Sequence, residues 1–262
     1  MLRDSIDYKG TAVGKLFRRF LFPTVMGMVF SAVFVITDGI FVGRGIGSDA
    51  LAAVNLTAPL FTLGTGLGLM FGMGGSVVAS VNLAQGKRRV AQINITQSLF
   101  VPALLIVLLS ALLILCHKPL LLLLGTPPEL MVPAREYLVW FTLFLAPLAV
   151  FNILMFIVRL DGAPRFAMAC NIMAASINIV LDYLFIFVLD WGIAGAAWAT
   201  GISKLLSTLL MFWHFTLSPF RLLTLRLRNL RIDWPLVKAM AAIGLSPLIL
   251  QSIISVINAL IN

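Results

Sequence analysis

Residues Phe20–Val42 read FLFPTVMGMVFSAVFVITDGIFV, 23 positions that carry a single charged side chain, Asp38. A hydrocarbon core about 30 Å thick is crossed by roughly 20 helical residues at about 1.5 Å each, so this run predicts a membrane-spanning helix. Lys15, Arg18 and Arg19 precede it, and Gly43-Arg44 closes it. The run is too long for a signal-peptide core and lacks a small-residue cleavage site, so an uncleaved first helix is expected.

Six more runs of similar character follow, giving expected spans at 20–42, 51–82, 95–116, 137–158, 166–189, 193–216 and 237–261. The fold class is therefore an all-α integral membrane protein, a polytopic helical bundle. Composition agrees: 61% of the 262 residues are hydrophobic and 11% charged, against about 25% charged in ordinary soluble domains. Too little polar surface exists to coat a soluble core. Cys116 and Cys170 lie in or beside apolar runs and form neither a disulfide framework nor a zinc pattern.

The net charge of +9 has two readings, nucleic acid or membrane topology. Summed over alternate loops, 15 Lys and Arg fall on one side, in the N-terminal segment, Lys87–Arg89, Arg159 to Arg165 and Arg221 to Lys238; Arg44, Lys118 and Arg135 fall on the other. Short cytoplasmic loops retain basic residues, which predicts a cytoplasmic N-terminus. Because the charges are dispersed instead of forming a stripe with interleaved aromatics, no nucleic-acid partner is expected. The lipid bilayer is the expected partner.

Sliding the chain by 224 positions places Pro23 on Pro247, Ser31 on Ser255 and Asp38 on Asn262. This hints at a duplicated six-helix unit, with the seventh span opening the second copy.

Ionisable groups inside spans are costly, and each is a functional candidate. There are three: Asp38, Asp182 and Lys204. By topology both carboxylates and Thr200 share one layer of the outer half, with Lys204 one turn deeper than Thr200. Asn178 precedes Asp182 by four positions and so shares its helix face. Such a face suits a small cation or a proton-bearing carboxyl. The alternatives are that Asp38 snorkels to the surface, that Lys204 is a structural charge partner locking Asp182 in place, and that Asn178 and Thr200 are ordinary interhelical hydrogen-bonding residues.

Span 2 carries Gly64, Gly68, Gly72, Ser76 and Ser80 at four-residue spacing. Small residues so spaced let a neighbouring helix approach closely, and the pattern does not match a phosphate-binding loop. Prolines at 23, 59, 102, 147 and 247 predict kinks. His117 and His214, at span ends, read as interfacial. No nucleophile and base pair points to an enzyme.

Specific motifs resemble a family. Residues 37–47 read TDGIFVGRGIG, 159–165 read RLDGAPR, 178–187 read NIVLDYLFIF and 192–200 read GIAGAAWAT. Over residues 15–217 the chain is similar to the multidrug and toxic compound extrusion (MATE) transporters. The resemblance implies an antiporter of the cytoplasmic (inner) membrane, exporting organic cations or other small amphipathic toxicants in exchange for H⁺ or Na⁺, with no other cofactor. It implies a six-helix lobe at 1–217, a basic interlobe loop at 218–236, and at 237–262 the first helix of a second lobe whose remainder is missing. It assigns the ion site to Asp38, Asn178, Asp182 and Thr200, with Asn152 as a fifth member; Na⁺ would be the only metal these four hold. The competing readings are a lipid-linked oligosaccharide flippase of the same superfamily and a truncated, non-transporting membrane scaffold.

Overall fold

Helix α1 (Val13–Gly45) leads, through the two-residue link Ile46-Gly47, into α2 (Ser48–Ala84). The link turns this tightly because Gly47 sits at φ 128°, where a side chain would be strained. There follow α3 (Arg88–Leu115), the short α4 (His117–Leu123), α5 (Met131–Leu143), α6 (Leu145–Leu160), α7 (Pro164–Asp182), α8 (Gly192–Leu217) and α9 (Trp234–Ile261). A computed structural model describes residues 12–217 and 232–261. Most of the interlobe loop, and Asn262 of the repeat alignment, lie outside the described residues. Within them the chain is helical with no strands, and six helices are long and apolar enough to cross a membrane.

The fourth expected span, 137–158, is not one helix. It is α5 followed by α6, bent by 50° at Phe144. Pro147 has no N–H to offer the Leu143 carbonyl, so the helical ladder fails one turn before it. The break is held from the side: the Phe144 ring fills the space beside Gly201 that a Cβ would need, and Thr208 Oγ1 donates to the Pro147 carbonyl at 3.2 Å. If the bent pair counts as one crossing, the total is seven.

Large apolar side chains cover the outside of the bundle, and polar ones are buried within it among apolar clusters. Phe22, Met28, Val35 and Ile36 of α1 and Leu108 and Leu112 of α3 are exposed, whereas Asn94, Gln97, Asn178, Asp182, Ser203 and Ser207 are fully buried. An apolar exterior of this extent fits hydrocarbon, where helix contacts come from small residues and internal hydrogen bonds. Two apolar clusters occupy the ends of the bundle. One gathers Val42, Leu138, Leu145, Ile186 and Ile193; the other gathers Ala91, Ile157, Ala167, Met211 and Phe215. Along α8, the stretch between them is Thr200, Ser203, Lys204, Ser207 and Thr208.

The glycines of α2 serve two neighbours. Gly64, Gly68 and Gly72 face Leu145, Ala149 and Ile153 of α6, rows of four-residue spacing on both sides, and a Cβ on Gly68 would lie 2.9 Å from the Ala149 carbonyl oxygen. Ser76, next in the row, turns its hydroxyl to the Met73 carbonyl at 2.8 Å. On another face Gly74 meets the Met240 carbonyl, while Gly244 of α9 meets the Met70 carbonyl; a Cβ at either would overlap an oxygen.

Candidate functional site

The site begins with a register. Asn171, near the middle of α7, donates from Nδ2 to the Gly27 carbonyl at 2.7 Å and to Ser31 Oγ at 3.0 Å. Eleven positions further along each helix stand Asp38 on α1 and Asp182 on α7. Eleven residues make three helical turns, so a contact fixed at Asn171 recurs three turns on between helices running side by side. The two carboxyl groups accordingly lie within interaction range of each other.

Asn178 is one turn before Asp182 and fully buried. Its Nδ2 donates to Thr200 Oγ1 of α8 at 3.3 Å, and its amide also neighbours the Asp182 carboxyl. Asp38, Asn178, Asp182 and Thr200 are thus brought together from α1, α7 and α8. Four of the cluster's oxygens, Asp38 Oδ1, both oxygens of Asp182 and Asn178 Oδ1, are buried without a hydrogen-bond partner. A concentration of hard oxygen acceptors with nothing donating to them fits a proton or a small hard cation such as Na⁺. Asp182 is fully buried, and Asp38 is half-buried with its Oδ1 enclosed. Directly after Asp182 the helix widens to a π-helix, Tyr183–Val188, a local form that recurs at functional sites.

Asn152, the fifth expected member, and Lys204, the expected charge partner of Asp182, stand elsewhere. Asn152 of α6 is half-buried, with its backbone carbonyl close to Gly72 of α2, and it makes no hydrogen bond to the four. Lys204 does not pair with Asp182. Its Nζ sits 4.9 Å from the Phe34 ring centroid and 4.5 Å from that of Phe151, with no carboxylate in salt-bridge range among the described residues. One helical turn, about 6 Å, separates it along α8 from Thr200.

Sequence reasoning missed two residues here. Tyr137 of α5 is buried among Phe61 and Phe141 and lies within electrostatic reach of both carboxylates. Asn171 sets the register; the signal available was a lone Asn seven positions before Asn178, hence on its face. His214 also departs from its expected interfacial role. It is buried, its Nε2 is 3.0 Å from Asp161 Oδ2, and its ring stacks on Phe166.

Comparison with known proteins follows the same lines. The MatE family model matches residues 23–184. The multidrug export protein MepA of Staphylococcus saprophyticus subsp. saprophyticus is 27% identical over 259 residues, 97% of this chain and 56% of that protein. MepA of Staphylococcus aureus is 29% identical over 219 residues, 79% of this chain and 46% of that protein. An outward-facing structure of a multidrug resistance MATE family transporter of the MOP superfamily superposes with a TM-score of 0.82 at 26% identity, covering 90% of this chain and 52% of that one. The chain spans about half the length of these relatives. With the family model covering the helices that carry Asp38, Asn178 and Asp182, and the fold matching over nine-tenths of its length, the chain belongs to the MATE family of transporters.

Proposed function

We propose that this chain forms the ion-coupling lobe of an antiporter that exports organic cations or drug-like amphipathic molecules across the cytoplasmic membrane in exchange for H⁺ or Na⁺, with its N-terminus on the cytoplasmic side. The observation that carries this reading is the opposed Asp38 and Asp182 carboxyls, buried oxygens without donors inside an otherwise apolar-coated bundle. Two like charges so placed become favourable neighbours only when something positive sits with them. A proton on one carboxyl turns it into a donor to the other. A Na⁺ draws on the same oxygens, together with Asn178 Oδ1. A site that must hold one of these, and whose affinity differs between two conformations of the lobe, converts an ion gradient into a bias between those conformations. Export follows if substrate binding to the lobe and ion binding exclude each other.

The test uses the protein expressed from its intact gene, reconstituted in vesicles under an imposed H⁺ or Na⁺ gradient, with a fluorescent organic cation as cargo. Asp38→Asn and Asp182→Asn each reduce gradient-driven export to background while membrane insertion is unchanged. Undiminished export from both variants overturns the reading.

A further inference from the structure

Lys204 has no role in the ion site, yet it is a cation at the midpoint of α8, with twelve helical residues before it and thirteen after. Water at either end of the helix is far beyond a four-carbon stem, so snorkelling does not explain it. The residue is 8% exposed. Its ammonium lies between the faces of Phe34 from α1 and Phe151 from α6, which attract a cation but accept none of its three N–H donors. The acid cluster and the Lys204 ammonium therefore occupy the same lobe interior without an ion pair between them; along α8, Lys204 stands about 6 Å from Thr200, the cluster's member on that helix. An interior with an unspent negative end and an unspent positive end is the complement of a molecule bearing both charges.

We propose that Lys204 is a specificity-determining residue that receives a carboxylate on the exported molecule, so that the lobe takes zwitterionic aromatic amphiphiles in preference to purely cationic ones. The inference rests on the export reading above. The carboxylate accepts hydrogen bonds from Nζ and the cationic end lies toward Asp38 and Asp182, whose bound ion it displaces. Phe34 and Phe151 then flank the ligand's aromatic body. Phe34 stands on α1, which rests mainly on α7 and only slightly on α8. Thr200, Ser203 and Ser207, all buried, share the Lys204 face of α8 and give it short polar side chains.

The experiment takes the purified protein expressed from its intact gene and two dyes that differ in one group: rhodamine B, with a free carboxylate beside its cationic chromophore, and its ethyl ester, a cation alone. Binding is read by fluorescence polarisation. The wild type prefers the acid by about tenfold, as a charge-assisted hydrogen bond predicts. Lys204→Gln erases the preference and leaves ester affinity within about twofold, while Lys204→Arg, which keeps the charge, preserves it. A folded, cooperatively melting Lys204→Gln protein, measured beside Lys204→Arg, separates lost binding from unfolding. Equal wild-type affinity for both dyes, or a preference that survives Lys204→Gln, overturns the inference. If the ester is bound as tightly as the acid, the export reading stands and this inference alone falls; if neither dye is bound this inference falls as well, and the export reading is decided separately by transport in Asp38→Asn and Asp182→Asn.

Discussion

Asn171 holds Gly27 through a 2.7 Å hydrogen bond to its carbonyl, and that contact decides which residue of α1 stands opposite Asp182. A slip of one residue on α1 rotates Asp38 by about 100°, away from α7. Asn171→Ala removes the bonds to Gly27 and Ser31 and frees the α1 register. Stability falls by about 1–3 kcal/mol and affinity for the coupling ion drops several-fold more than a stability change of that size implies. Melting in detergent and ion titration on the same preparation check both parts. Lost stability with unaltered ion affinity assigns Asn171 to packing alone.

The contacts of α2 with α9 leave no room for a methyl group. Gly74→Ala and Gly244→Ala each push a Cβ into a backbone carbonyl, which no rotamer change relieves, and each costs about 1–3 kcal/mol. Gly14→Ala, with open space around the glycine, is the control and does not lower the melting temperature. Equal behaviour of all three contradicts the close approach.

His214 and Asp161 tie the α6–α7 turn to the far end of α8. Removing the imidazole beside the buried Asp161 carboxylate deletes one hydrogen bond to a charged group, so His214→Ala destabilises by about 1–3 kcal/mol, and the double variant with Asp161→Asn costs less than the sum of the two single changes. Thermal melts of the four proteins give the coupling energy. Strict additivity removes the pair as a structural tie.

Tyr137→Phe deletes one hydroxyl within electrostatic reach of both carboxylates and leaves the Phe61 and Phe141 packing in place. The expected result is a shifted ion-concentration dependence of export with an unchanged melting temperature. An unchanged dependence places Tyr137 in the apolar core only.

How far the residues announce this arrangement follows from what each kind of signal needs. Charge inside a span is visible without a partner, so Asp38, Asp182 and Lys204 stand out in the bare sequence, and helical spacing adds Asn178. Span boundaries are less visible: α1 begins at Val13 and α6 ends at Leu160, because helices continue beyond the hydrocarbon they cross. Pro147 foretells a kink, but the break falls at Phe144 through the contact with Gly201, which no local pattern contains. The row Gly64, Gly68 and Gly72 has a period that can be read on one helix. The pairing of Gly74 with Gly244 cannot, since each glycine has meaning only against the other helix. The bare sequence allows Lys204 to pair with Asp182, and the aromatic pair that holds it instead comes from α1 and α6, remote in sequence. Tyr137 and Asn171 do not stand out, because neutral polar residues in spans are commonplace interhelical donors.

The central claim is that Asp38 and Asp182 share one exchangeable small cation. Infrared difference spectroscopy of the purified protein reads the carboxyl groups directly. The account predicts one protonated-carboxyl C=O band that disappears on adding Na⁺ or raising pH and is absent from both Asp38→Asn and Asp182→Asn. A band pattern that ignores Na⁺ and pH, or one unchanged in either variant, contradicts it.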